Sequence, residues 1–336
     1  MSYISASYGI DKGNCRAVRY QDTTTIGRKS VVAVNFPAVP QNRATCVRNW
    51  AVYKEDDPET ELIKYPFIIS GHSHGRKNGK NRDRVGIVTS EKFAALILAD
   101  GFGNFGDNIS TRVREFIATR LFEMQDRLVR NKDPSLVLEE AVSRIDMIDQ
   151  KSGRNGASVT LAVVFPDGDM HYAMVGNCPA YIVSRDNALR LGKPERTRVV
   201  ESESEQLFEP TQLDADVYMA NDGNLITAIR QNTISRSDID TGEWRLKRGE
   251  RLLVLSSGLV RNLPIVIDER NGRVVDSSRI PAILKFANLG LIELSDQLAN
   301  IQIGEDETRY SDGPRYTRNF DKDRSLVGIE FLGTSI

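Results

Sequence analysis

The hydrophobic pattern of the 336-residue chain points to an α+β sandwich in which helices lie outside sheets. Strand-like runs come first, two amphipathic helical stripes follow, strands return, and one more helix precedes a closing strand. A doubly wound fold would alternate strand and helix strictly, and this order does not. No repeat and no low-complexity linker forces a cut between domains.

Residues 1–65 read as an N-terminal extension with short strands. It holds two apolar runs, Val31–Val34 and Trp50–Tyr53, and an acidic turn-like stretch from Glu55 to Glu59. The remainder, 66–336, reads as the main domain. It opens with a short strand at Phe67-Ile68-Ile69, a polar stretch from Gly71 to Asp83, and strands at Val85–Val88 and Ala94–Ala99. The last of these is continuously apolar and stops at Asp100-Gly101, as a fully buried strand does.

The period then changes. Ile109, Val113, Phe116, Ile117, Leu121 and Met124 recur at three- and four-residue steps, the stripe of a long helix. Asp133-Pro134 is a cap followed by a first-turn proline, and it opens a second helix carrying Leu138, Ala141, Val142, Ile145 and Ile148. Strands are expected at Ser158–Phe165, His171–Val175 and Ala180–Val183, the first two joined by a hairpin around Asp167-Gly168. Leu225–Thr227 and Leu252–Leu255 continue the strand pattern. A last long helix spans Ser278–Leu298, and a final strand runs from Leu326 to Leu332.

Composition excludes several classes of function. Lys plus Arg is 45 and Asp plus Glu is 46, for a net charge of −1, so bulk positive charge gives no reason to expect a nucleic-acid partner. No stretch approaches the roughly 18 uninterrupted apolar residues of a membrane span, and the first residues lack the features of a signal peptide. Three scattered cysteines suit reduced thiols in a cytoplasmic protein rather than a disulfide framework or zinc site. There is no P-loop, dinucleotide fingerprint, nucleophile elbow or zinc-protease motif.

Several segments, taken in order, resemble the metal-dependent protein phosphatase family (protein phosphatase 2C, PPM). Gly75 through Asp83 looks like the family's opening stretch, which ends in Asn-Glu-Asp, and Leu98-Ala99-Asp100-Gly101-Phe102-Gly103 looks like its Asp-Gly-Met-Gly element. Gly156-Ala157-Ser158-Val159-Thr160 and Val175-Gly176-Asn177-Cys178-Pro179-Ala180-Tyr181 resemble its Gly-Ser-Thr-Ala strand and Val-Gly-Asp-Ser-Arg-Ala-Tyr turn. Gly249-Glu250 through Leu253-Val254-Leu255-Ser256-Ser257-Gly258-Leu259 resembles Gly-Asp followed by Leu-Leu-Leu-Ser-Asp-Gly-Leu, and Lys322 through Val327 resembles the closing element. The resemblance implies the four-layer α-β-β-α sandwich of the phosphatase 2C type. It also implies hydrolysis of phosphoserine and phosphothreonine, with two Mg²⁺ or Mn²⁺ ions held by converging carboxylates.

Carried over position by position, the resemblance leaves that carboxylate cluster incomplete. Asp83 and Asp100 match family acids, and Gly101 matches the backbone-carbonyl ligand. Arg82 stands where the family has Glu, Ser257 where it has Asp, and Lys322 at the closing metal Asp. Two aspartates offset by one arginine and one lysine leave these five positions at about zero charge, against about −5 for five ionised acids. Without that field the desolvation of a divalent ion goes uncompensated. Asn177 replaces another acid, and Asn78 stands where the family places a phosphate-binding Arg. Asp321 or Asp323 would restore an acid only by a one-residue slip, which in an extended strand turns Leu326 outward.

Arg82 and Lys322 then either act as built-in cations, pairing with Asp100 and Asp83, or point into solvent beside a vestigial cleft of Asp83, Asp100, Asn177 and Ser257. His72-Ser73-His74 reads as a solvated loop rather than a metal site. The basic run Arg76, Lys77, Lys80, Arg82, Arg84 reads as a solvated face or, alternatively, as a patch for an acidic or phosphorylated partner. Cys178 reads as a buried, inert thiol.

The sequence thus favours a cytoplasmic pseudophosphatase that needs no cofactor, regulates or scaffolds a protein partner, and has no nucleic-acid or membrane role. The alternative is an active Mg- or Mn-dependent Ser/Thr phosphatase, with Asp100, Asp83, Asp323 and the Gly101 carbonyl as ligands and water as nucleophile. A third reading is an unrelated binding domain of similar layering.

Overall fold

The computed structural model describes residues 67–74, 81–89, 92–145, 155–192, 197–201, 204–213, 238–268, 270–299 and 323–333, together with short backbone strands within 3–54. Its main strands are β1 (Val32–Asn35), β2 (Val47–Arg48), β3 (Phe67–His74), β4 (Asp83–Thr89), β5 (Ala94–Phe102) and β6 (Gly156–Val164). They continue with β7 (Asp169–Val175), β8 (Ala180–Val183), β9 (Ala188–Arg190), β10 (Asp240–Arg245), β11 (Arg251–Leu255) and β12 (Arg324–Phe331). The helices are α1 (Gly106–Glu123), α2 (Gln125–Asn131), α3 (Ser135–Ile145), α4 (Ser257–Asn262), α5 (Ile280–Leu284) and α6 (Leu291–Ala299).

Two six-stranded sheets form, in the orders β10-β7-β6-β5-β4-β1 and β9-β8-β11-β12-β3-β2, and the pairings in both are antiparallel. Residues 1–65 thus supply an edge strand to each sheet through β1 and β2. Three apolar clusters separate four layers. One lies between the first sheet and α1–α3, where Val159, Leu161 and Val163 of β6 meet Val113, Ile117 and Leu121 of α1. A second fills the space between the sheets with Leu96, Leu98, Val254, Val327 and Ile329. The third lies under α4–α6, with Leu253, Leu255 and Leu326 against Leu291, Leu294 and Leu298. Because each sheet is covered on both faces, the core strands are apolar at consecutive positions rather than alternating. This is the α-β-β-α sandwich.

Two helix expectations need correction. The first predicted stripe ends at Met124 (φ −96°) as α1 does, but a short helix that was not expected, α2, follows it, so three helices come after β5 instead of two. Lys132, in the left-handed region, donates its N–H to Leu128 O at 2.8 Å and closes α2. Asp133 then accepts from Ser135 N at 3.0 Å and opens α3. The Ser278–Leu298 helix is interrupted between Leu284 and Leu291, leaving α5 and α6. Here tertiary contacts outweigh the apolar stripe. Glu330 of β12 accepts from Leu291 N at 3.1 Å, capping α6, while its cross-strand partner Arg251 donates to Ala287 O at 2.8 Å. The Leu225–Thr227 strand expectation, Ile148 and the basic residues Arg76, Lys77 and Lys80 lie outside the described residues.

The solvated-loop expectation for His72-Ser73-His74 is also overturned. All three lie in β3, and His72 is buried against the second helical layer with Nε2 3.1 Å from Asp296 Oδ1 of α6. Arg84 likewise turns inward rather than joining a solvated face. Its guanidinium donates to Asn81 O at 2.7 Å, to Asp83 O at 2.8 Å and to Thr111 Oγ1 at 2.7 Å.

The Glu330 carboxylate holds both the α6 N-terminus and the neighbouring Arg251 guanidinium, with Nε at 3.7 Å, in a largely buried setting. Glu330→Ala is therefore expected to lower stability by about 2–4 kcal/mol, since it leaves a buried arginine uncompensated. Urea unfolding measures this directly, and an unchanged midpoint would show that α6 is docked by apolar contacts alone.

Candidate functional site

The cleft forms at one end of the sandwich, where chain turns of both sheets meet. Asp83, the first residue of β4, sits in direct register with Asp100 near the end of β5, and Asp100 in turn with Ser158 of β6. All three share parity with the inter-sheet residues Val85, Leu98 and Ala162, so one polar row closes the apolar space between the sheets. The facing sheet supplies Ser257 at the start of α4 and Asp323 just before β12.

Two contacts bridge the sheets there. Ser257 gives both its backbone N–H, at 3.0 Å, and its hydroxyl to Asp100 Oδ2. Arg82 donates its backbone N–H to Asp323 Oδ2 at 2.9 Å, and its Nε lies 3.6 Å from the same oxygen. The guanidinium Nη1 also donates to Gly103 O at 3.0 Å. Of the two alternatives for Arg82, pairing with Asp100 or pointing into solvent, neither describes its contacts, which are to Asp323 and the Gly103 carbonyl. Lys322, Asp321 and Asn78 lie outside the described residues.

The position of Asp323 corrects the strand argument. Odd residues of β12, from Val327 to Phe331, point between the sheets, and Leu326 faces the helical layer where it is also buried. Parity therefore carries Asp323 to the cleft side with no slip at all. Apolar pattern could not reveal this, since both faces of the strand are covered.

Gly101 has no room for a side chain. A Cβ there would meet Gly106 O at 2.1 Å, where the start of α1 packs on the end of β5. Its N–H donates to Arg82 O at 3.2 Å, and the Ser110 hydroxyl donates to the same carbonyl at 2.5 Å. On the other side, Gly176 (φ 96°) brings the β7–β8 turn onto Ser158, whose hydroxyl donates to Asn177 Oδ1 at 2.9 Å. Cys178 is buried beneath. Burial first, then the charges of Asp100 and Asp83, push its thiol well above the usual range, so it remains protonated.

A buried polar relay supports Asp83 from behind, and sequence reasoning missed it. Asn81 accepts from Asp83 N at 2.9 Å and donates to Ser73 Oγ at 2.8 Å, and the Ser73 and Ser325 hydroxyls are bonded at 2.8 Å. Ser325 N donates to Ser256 Oγ at 2.9 Å. The available signal was serine recurring in otherwise apolar strands. Arg261, one turn along α4 from Ser257, was also missed and lines the cleft. With Arg82, Asp100, Gly101, Asn177, Ser257 and Asp323 it bounds a volume of about 130 Å³.

The carboxylates here are electrostatically strained. Burial raises the Asp83 carboxyl well above its ordinary range, and the charges of Asp100 and Asp323 raise it further, against a smaller opposing effect of the Ser325 and Ser256 hydroxyls. Asp100 is raised as well by burial, though the bonds from Ser257 and Asp83 pull it down. The two share their titration as a pair.

Mg²⁺ or Mn²⁺ would need several oxygen atoms turned to one point. Among the described residues, no group of three or more His, Cys, Asp or Glu is arranged to hold a metal ion. One Asp100 oxygen is committed to Ser257, one Asp323 oxygen to Arg82, and a guanidinium enters the same space. The donor set of the described residues does not fit a pair of divalent ions.

Neither a protein-family model nor a curated protein matches the chain by sequence. Solved structures share its fold. A bacterial serine phosphatase is 18% identical with a TM-score of 0.53, covering 80% of this chain and 99% of its own. The PPM Ser-Thr phosphatase MsPP from Mycobacterium smegmatis, in complex with cacodylate, is 15% identical with a TM-score of 0.53, over 79% and 98%. The Ser/Thr phosphatase Stp1 from Staphylococcus aureus is 17% identical with a TM-score of 0.51, over 79% and 95%. The chain has the fold of PPM-type phosphatases.

The sign of the pH dependence follows from the raised carboxyl pair. A carboxyl with a folded pKa above its unfolded value near 3.8 favours the folded state at low pH. That contribution fades as pH rises from the unfolded toward the folded pKa. Asp83→Asn, measured in chelator-treated buffer, should therefore stabilise the protein at pH 7 and have little effect near pH 4. A gain equal at both values would place the strain elsewhere. Gly101→Ala should destabilise by about 1–3 kcal/mol through the clash with Gly106 O, read from thermal unfolding.

Proposed function

We propose that this chain is a catalytically degenerate PPM-fold protein, a pseudophosphatase that acts in the cytoplasm as a regulatory or scaffolding module for a protein partner. The observation that carries the reading is the cleft's own chemistry. A serine hydroxyl and N–H hold one oxygen of Asp100, and the Arg82 backbone N–H holds one oxygen of Asp323, so two of the oxygens that a hydrolytic metal centre would draw on are already engaged. A fold can be kept while its chemistry is lost, because catalysis resides in a few side chains at one end of the sheets. No helix among the described residues is long and apolar enough to cross a membrane, which accords with a partner met in water.

One observation favours a second reading, an active Mg- or Mn-dependent Ser/Thr phosphatase. Asp83, Asp100 and Asp323 act on one another electrostatically, and the Asp83 carboxyl is buried with only the Ser325 and Ser256 hydroxyls and Asp100 to answer it. In that reading these three acids and the Gly101 carbonyl hold the ions, which would polarise the phosphoryl group and activate a water molecule.

Assays on a phosphoserine peptide and a small aryl phosphate across a Mn²⁺ and Mg²⁺ titration decide between them, with Asp100→Ala as control. The expected result is no turnover above that control at any metal concentration. Metal-dependent turnover that disappears in Asp100→Ala would establish the enzyme instead.

A further inference from the structure

We propose that the outer edge of the first sheet is a self-association surface: β10 of a second copy of this chain pairs antiparallel with β10, centred on Trp244, so that Glu243 of each copy faces Arg245 of the other. The inference holds whether or not the cleft is catalytic.

Among the described residues, β10 pairs with β7 on one side and with no strand on the other. An edge of this kind presents a row of backbone N–H and C=O groups to any strand that can lie beside it. Edges are commonly protected by proline, by a bulge or by charges of one sign, and β10 has none of these. Its six residues, Asp-Thr-Gly-Glu-Trp-Arg, keep an unbroken register with β7. The strand is also braced from within. Trp244 packs against the apolar cluster between the sheets and donates Nε1–H to Glu250 Oε2 at 3.3 Å, so little order has to be gained on pairing.

The opposite face carries the charges. Glu243 is 82% exposed and Arg245 is 71% exposed, two positions apart on the same side of the strand. Their contacts within the chain leave them at the surface. Glu243 Oε2 lies 4.0 Å from His171 Nδ1, and Arg245 shares Asp169 with Lys132.

Symmetry then selects the register. Two copies related by a two-fold axis through a continuous antiparallel sheet place residues of one face opposite residues of that same face, so the axis passes through a residue position. Centred on Glu243 or on Arg245, the pairing sets two like charges directly opposite one another, which repel. Centred on Gly242, it sets Glu243 against Thr241 and leaves the charges unanswered. Centred on Trp244, it sets Glu243 against Arg245 twice. Exposed ion pairs add little affinity by themselves, but they fix partner and register, while the backbone ladder supplies the attraction.

Sedimentation equilibrium of the full-length chain, over about 1–200 µM, tests this, with circular dichroism to verify folding. Wild type is expected to show a monomer–dimer equilibrium within that range. Glu243→Arg and Arg245→Glu, each alone, set like charges opposite one another and should weaken association at least about tenfold. An equimolar mixture of the two variants should associate again, since each arginine at 243 then meets a glutamate at 245. Should either reversal fail to fold, Glu243→Gln and Arg245→Gln replace the pair and are each expected to weaken the dimer. A wild type that stays monomeric throughout would leave this edge to a strand of another protein and overturn the inference. So would a dimer that no substitution at 243 or 245 weakens, or a mixture of folded reversal variants that associates no better than either alone.

Discussion

Two carboxylates in direct antiparallel register, Asp83 and Asp100, set the terms for this end of the molecule. Like charges directly opposite one another on a sheet repel, and burial adds the cost of desolvation. Such a pair persists because the surrounding structure answers it from the other sheet. The Ser257 N–H and hydroxyl engage Asp100, while the Asn81, Ser73 and Ser325 relay secures the backbone at Asp83. The same contacts tie the two sheets together, so the packing of the sandwich and the state of the cleft are linked.

The apolar layers explain why the polar groups gather where they do. Between the sheets, Leu96, Leu98, Val254 and Ile329 fill the space densely, leaving no place for a charge. Toward one end, the strands give way to turns at Gly103 and Gly176 and to the α4 cap at Ser256, and the row changes from apolar side chains to Asp83, Asp100 and Ser158. Glycines at 101 and 176 allow these turns to approach so closely that neighbouring backbone and side chains would collide with any Cβ. The cleft is thus a product of backbone proximity, and its chemistry depends on which side chains border it.

A shared fold carries no obligation to share a reaction. PPM-type phosphatases and this chain use the same layering of helices and sheets, which rests on apolar volume and strand order. Metal-assisted hydrolysis rests instead on a few oxygens and on the absence of competing cations. Here an arginine and a serine border that small region, while the apolar layers behind it are complete.

The α+β layering was legible in the sequence because a strand covered on both faces, such as β6, must be apolar at consecutive positions, and a packed helix such as α1 must repeat its apolar residues at three- and four-residue steps. The ordered motifs around Asp83, Asp100 and Ser257 were legible too, since turns at sheet ends need glycine and short polar residues. Local pattern did not fix where α5 ends and α6 begins, since a carboxylate from β12 caps α6 across the fold. Nor could it show that His72 is buried against Asp296, or that Asp323 enters the cleft. A strand with two covered faces hides its parity, and the partner of a buried charge lies far away in sequence: 241 residues separate Arg82 from Asp323. Sequence determined which segments form layers and which motifs lie at the sheet ends. Only the tertiary structure decided which charge meets which, because electrostatic pairing depends on distance in space and the chain records only order.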